Sequence, residues 1–187
     1  MKNFKLFISL VLLLSLLLLF GCSNVTKDNQ AEDNQMKFDL IASEKTLPSH
    51  FHEIAFKSKE TPFFQYLVRK VNDQSEFEDT WNFYAFENQT PSIDLNEKDV
   101  FFIGVYESGS CPSKIKHMKL SSDNKTMTVS LTEPDGACTS DATPRTFVIQ
   151  IDKEISKEIE SVVIVQNGVE TSIPFENEKF GSKGNSL

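Results

Sequence analysis

The chain has 187 residues, with 19 Lys and Arg against 27 Asp and Glu, for a formal net charge of −8. That length leaves room for one ordinary domain with a sizeable core once terminal segments are set aside. The acidic balance argues against nucleic acid and other phosphate-rich partners.

Lys2 and Lys5 precede an apolar run over 6–20 that is broken only by Ser9 and Ser15, and Gly21-Cys22 follows. This is the pattern of an export signal, here assigned to residues 1–21. A fifteen-residue helix at about 1.5 Å per residue spans roughly 22 Å, short of the ~30 Å hydrocarbon core, which favours a cleaved signal over a membrane span. Leu19-Phe20-Gly21-Cys22 resembles a bacterial lipobox. The resemblance implies cleavage before Cys22 and a diacylglycerol on its sulfur, so that Cys22 becomes the first residue of a protein held at the outer face of the cell membrane. Acyl chains contribute about 0.8 kcal/mol per buried CH₂, enough for stable anchoring without a transmembrane helix. Loss of Lys2 and Lys5 with the signal makes the remaining chain more acidic still.

Residues 22–36 are rich in Asn, Gln, Asp and Glu and poor in apolar side chains. They cannot bury enough surface to offset chain entropy, so they are expected to form a disordered tether, and the tail 176–187 reads the same way. The folded domain is expected over 37–175.

Within it, 38–42 and 51–56 have strand character. A strand at 51–56 would set His50 and His52 on one face, half of a conceivable metal site, but no third ligand is identifiable and no metal is assigned. Residues 62–71 fit either a helix starting at Thr61-Pro62 or a strand over 65–71, with the strand favoured. Ser75-Glu76-Phe77-Glu78 reads as a capping box, and Phe77, Trp81 and Tyr84 follow on one helical face, which predicts a short covering helix near 76–84.

The run 100–106 is apolar throughout and is expected at the centre of a sheet, covered on both sides. Strands are predicted at 115–120, where His117 stands alone, and at 126–132. In the second of these, Met127, Val129 and Leu131 alternate with Thr and Ser, giving one wet face as antiparallel sheets allow. Asp123-Asn124 between them is a turn. Further strands are predicted at 146–151, 162–166 and 169–173, the last two joined by Asn167-Gly168, a dipeptide that accepts positive φ at both positions of a type I′ hairpin. The predicted class is mainly β (α+β), a small antiparallel sheet or sandwich-like domain with one covering helix.

Cys111 and Cys138 are the two thiols left after lipidation of Cys22. Outside the reducing cytoplasm they are expected to form a disulfide around the strand pair 115–132, worth a little over ~3 kcal/mol by the chain-entropy estimate. Neither has a second cysteine three residues away, as a thioredoxin-like centre requires, and finger-like zinc ligands are absent. No nucleophile elbow, Ser-x-x-Lys pair, Walker loop or dinucleotide loop is present, so no catalytic residues and no cofactor are assigned. The staple would hold two polar loops together. Ser110, Pro112, Ser113 and Lys114 on one, with Thr139, Ser140, Asp141 and Pro144 on the other, are the candidate interaction residues, since loops fixed by a scaffold commonly carry binding.

The order of features over residues 75–154 resembles the C-terminal domain of the protease complex subunit PrcB family. The matching features are Ser75-Glu76-Phe77-Glu78 with Trp81, Pro91-Ser92-Ile93-Asp94-Leu95, the buried strand 100–105, the Gly109 turn, the strand pair, and Thr143-Pro144 before 147–151. Where that family has a Thr-Gly-Gly-Tyr turn, this chain has Ser110-Cys111-Pro112-Ser113. The resemblance implies a mainly β domain that associates with another exported protein, such as a protease, and brings no catalytic residues. The expectation is therefore a lipid-anchored, non-enzymatic association module; the alternative is an envelope lipoprotein that binds a small molecule, or a metal through His50 and His52.

Overall fold

The computed structural model describes residues 35–175, so the expected export signal, the expected lipid site at Cys22 and the tail from residue 176 lie outside the described residues. In chain order the elements are β1 Asp39–Glu44, α1 Phe51–Ile54, β2 Phe56–Lys57, β3 Gln65–Val71, α2 Gln74–Phe83, β4 Lys98–Glu107, β5 Lys114–Leu120, β6 Thr126–Thr132, β7 Thr143–Asp152, α3 Lys153–Ser156, β8 Ser161–Gln166 and β9 Val169–Pro174.

They form two sheets, one ordered β1-β7-β4-β3-β2 and the other β5-β6-β8-β9. Pairing is antiparallel throughout except between β6 and β8, which run parallel with Val129 opposite Ile164. The intervening β7 belongs to the other sheet, so the chain leaves and re-enters the second sheet between its two parallel members.

The apolar run of β4 explains its place at the middle of the first sheet. Phe101, Ile103 and Val105 turn toward the second sheet and join Met127, Val129, Ile149 and Ile164 in one core. Val100 and Phe102 turn the other way, into a second core with Phe77, Trp81, Tyr84 and Phe86 beneath α2. Burial on both faces is what a continuous apolar strand needs. The alternation of β6 likewise puts Met127, Val129 and Leu131 inside, but its other face is not the wet one expected, since Ser130 is buried and Thr126 and Thr128 are half-buried between β5 and β8.

Helix α2 starts one residue before the predicted box. Its N-cap is Asp73, whose Oδ1 accepts a hydrogen bond from Glu76 N at 2.9 Å. A carboxylate two residues upstream takes the capping role assigned to Ser75, and Asp is as good a cap as Ser. The apolar face is as expected, with Trp81 stacked on Phe86 at 4.2 Å between ring centroids.

Residues 51–56 are not a strand. Phe51 and Ala55, four apart, are both buried, and a helical turn closes through Ala55 N to Phe51 O at 2.8 Å before the two-residue β2. Strand alternation would set Phe51, Glu53 and Ala55 on one face, whereas a helical turn buries Phe51 and Ala55 and leaves the Glu53 carboxylate exposed. Segment 47–51 packs closely over β4, where a Cβ at Gly104 would lie 2.7 Å from Leu47 Cδ2 and 3.3 Å from the Phe51 ring.

Residues 65–71 form the favoured strand, after a cis Thr61-Pro62 bond. Asn167 (φ 51°) and Gly168 (φ 77°) make the predicted hairpin turn. Two residues assigned to the tether belong to the domain: Gln35 bridges Lys119, and Met36, buried, donates its N–H to Met118 O at 2.9 Å.

Candidate functional site

The disulfide forms as expected. Cys111 and Cys138 are joined with their Cα atoms 5.5 Å apart, which draws the β4–β5 and β6–β7 loops together at one end of the sandwich. Polar contacts reinforce the staple. Ser110 Oγ accepts from Thr139 N at 2.9 Å, and Ser108 and Thr139 hydroxyls lie 3.1 Å apart.

Asp141 is the main fastener of the second loop. It accepts from the Thr139 hydroxyl, from Gly109 N at 3.1 Å and from Thr143 Oγ1 at 3.1 Å. The Thr139 bond first, then the Gly109 amide, hold its carboxyl below the usual carboxylate range. The fit depends on Gly109, because a Cβ there would come within 2.3 Å of Asp141 Oδ2.

Beneath the loops lies a buried ion pair. Glu107 Oε1 accepts from Arg145 Nε at 3.0 Å and Nη2 at 2.8 Å, while its Oε2 accepts from Ser113 N at 2.7 Å. The carboxylate thus ties the first loop to β7.

The two loops do not contribute equally to the surface. A cleft of about 670 Å³ opens beside the staple, and Thr139, Ser140 and Asp141 form one wall of it. Ser110, Pro112, Ser113 and Lys114 do not line it. Cys111 faces inward, Ser113 is buried against Glu107, and β5 begins at Lys114, so this loop serves as the anchor and its partner as the wall. Pro144 lines an adjoining depression of about 420 Å³.

The opposite wall consists of Pro62, Phe63, Phe64 and Gln65, with Phe63 71% exposed at the rim. His52 and Tyr106 are shared by the cleft and the depression, as is Ala142, so the two form one groove crossing a low ridge. That ridge is rigidly built. His52 Nδ1 lies 3.0 Å from Gln65 Oε1 and its Nε2 lies 2.9 Å from Tyr106 Oη. A neutral imidazole satisfies both by donating to Gln65 and accepting from Tyr106. The two rings also stack, 5.5 Å apart, and burial raises the Tyr106 hydroxyl pKa above its ordinary value.

His50 does not join His52. In the α1 turn it faces Glu53 at 3.8 Å, and among the described residues no group of three or more His, Cys, Asp or Glu could hold a metal. His117, alone in its strand, is half-buried in β5, where burial and then Lys119 and Lys116 hold its pKa below the ordinary histidine value.

One site residue escaped the sequence reading. Gln166 ends the inward row Val162, Ile164, Gln166 of β8 and lines the cleft. Its Nε2 donates to Tyr106 O at 2.8 Å across the sandwich. The signal was available, since strand alternation puts Gln166 in register with two core aliphatics. No family model matches the chain, and no curated protein or solved structure matches it.

Proposed function

We propose that this chain is a lipid-anchored, extracytoplasmic, non-enzymatic module that holds an extended segment of another exported protein in the groove beside the staple. The observation that carries the reading is the groove itself: two contiguous depressions, of about 670 and 420 Å³, running over the His52–Tyr106 ridge. An elongated groove with prebuilt walls suits an extended chain and needs little reordering on binding. Phe63 supplies an exposed aromatic at the rim, the residue type that anchors interfaces. The lipobox-like Leu19 to Cys22 supports the anchor, and the resemblance of residues 75–154 to the PrcB family supports an exported partner, such as a protease.

A photo-reactive residue placed at Ser140 or Phe63 in intact cells tests the association. The expected result is one exported protein cross-linked from both positions through a single mapped segment, and not from Lys157 outside the groove. Cross-links of equal yield from all three positions, or from none, would sink the reading. For the anchor, Cys22→Ala should leave the chain unprocessed or released from the membrane; unchanged processing and retention would refute it.

A further inference from the structure

Gln166 is buried, 1% exposed, and only half satisfied. Its Nε2 is committed to Tyr106 O. Turning the amide over would set two carbonyl oxygens against each other, so its orientation is fixed. Oε1 is then left buried with no hydrogen-bond partner, and among the side-chain atoms of the cleft lining it is the one in that state. A buried acceptor without a donor carries a standing penalty that a ligand's donor would remove.

The surrounding charge points to the kind of donor. Three carboxylates line the cleft, and no Lys or Arg does. Glu107 is already neutralised by Arg145. Asp141 is held by three neutral donors and makes no ion pair among the described residues. The Glu133 carboxylate makes no ion pair or side-chain hydrogen bond among the described residues and is partly exposed at the cleft.

On the groove reading above, we propose that this cleft is a subsite for one basic side chain of the bound segment, a lysine ammonium or an arginine guanidinium, with Glu133, Asp141 and Gln166 in its lining. Both groups are donors without an acceptor, which matches an acceptor-rich cleft. A calcium ion fits less well. Three of the roughly four lone-pair positions of Asp141 are occupied by Gly109, Thr139 and Thr143, which leaves it unable to chelate with both oxygens.

The test is binding of the full chain to fluorescent seven-residue peptides that are identical except for a central Lys, Arg, norleucine or Glu. The Lys and Arg peptides should bind about tenfold or more tighter than norleucine, the Glu peptide weakest. Added salt should narrow the gap. Glu133→Gln, which removes no contact the fold uses, should shrink the Lys-over-norleucine preference several-fold, and at constant ionic strength the preference should not depend on whether the added salt is CaCl₂ or NaCl. Equal affinity for Lys, norleucine and Glu peptides would overturn the cation subsite while leaving the groove reading intact. So would a preference that survives Glu133→Gln together with Asp141→Asn, or one that CaCl₂ abolishes while NaCl at the same ionic strength does not. Failure of every peptide to bind while cross-links still form from Ser140 would also overturn the subsite alone. Failure of both would remove the groove reading with it.

Discussion

Removing the staple is the perturbation whose size follows most directly from the structure. The bond joins residues 27 apart in sequence. In the chain-entropy model a closed loop of that size removes about 12 cal/mol/K from the unfolded ensemble, or about 3.5 kcal/mol at 25 °C. The folded residues number about 140. At roughly 2.1 cal/mol/K of unfolding entropy per residue, the domain has an unfolding entropy of about 0.3 kcal/mol/K, so the loss corresponds to a fall in melting temperature of about 12 °C. The double variant Cys111→Ser/Cys138→Ser, compared with the parent by scanning calorimetry, should show it. The loops should remain partly ordered, because Asp141, Thr139 and Ser110 hold each other independently of the sulfurs. A fall of less than about 4 °C, or free thiols in the untreated parent, would refute the argument.

Glu107→Gln should cost about 3 kcal/mol by urea unfolding, since it strands the Arg145 guanidinium, whose side chain is 12% exposed beside a fully buried partner; a loss under 1 kcal/mol would mean the pair is solvated. Gly109→Ala should drive the Asp141 carboxylate from its seat and return its pKa toward the ordinary range, and an unaltered titration of Asp141 would contradict that contact. In the parent, the folded-state pKa of Asp141 lies below its unfolded value. Its hydrogen bonds therefore stabilise the loop above the unfolded-state pKa, and that stabilisation fades as pH falls through the folded one. Carbon-detected NMR should find the Asp141 carboxyl and the Gly109 amide titrating together on the acid side of an unstructured Asp, and a midpoint at or above the unstructured value would disprove it.

What the sequence made legible was local. The apolar run of β4, the strict alternation of β6 and the Asn167-Gly168 turn each carry their structural meaning within a few residues. Residues 51–56 differ from the expected strand because Phe51 and Ala55 fit both a helical turn and a strand face, and only the exposure of Glu53 between them separates the two. The parallel pairing of β6 with β8 was hidden because it depends on how the chain routes through the other sheet.

The site shows the same division. The expectation of export, with Cys22 taken by a lipid, left Cys111 and Cys138 to pair, and the structure joins them and brings Thr139, Ser140 and Asp141 to a surface. Which loop would face the cleft was decided by Glu107, whose partners Ser113 and Arg145 lie 6 and 38 residues away. His52 acquired a role with Tyr106, 54 residues distant, that no metal-ligand spacing suggested. Gln166 became conspicuous only once its Nε2 was seen to reach the opposite sheet, which left its Oε1 alone.

The central claim is that a partner segment occupies the groove at the stapled end. Hydrogen exchange by mass spectrometry, run on the protein in native membranes and again after purification, tests it most directly. Amides in 62–66 and 139–142 should exchange several-fold more slowly in the membranes, while those of the β5 edge should be unchanged. Equal exchange of the groove segments in both preparations, or slowing confined to the β5 edge, would contradict it.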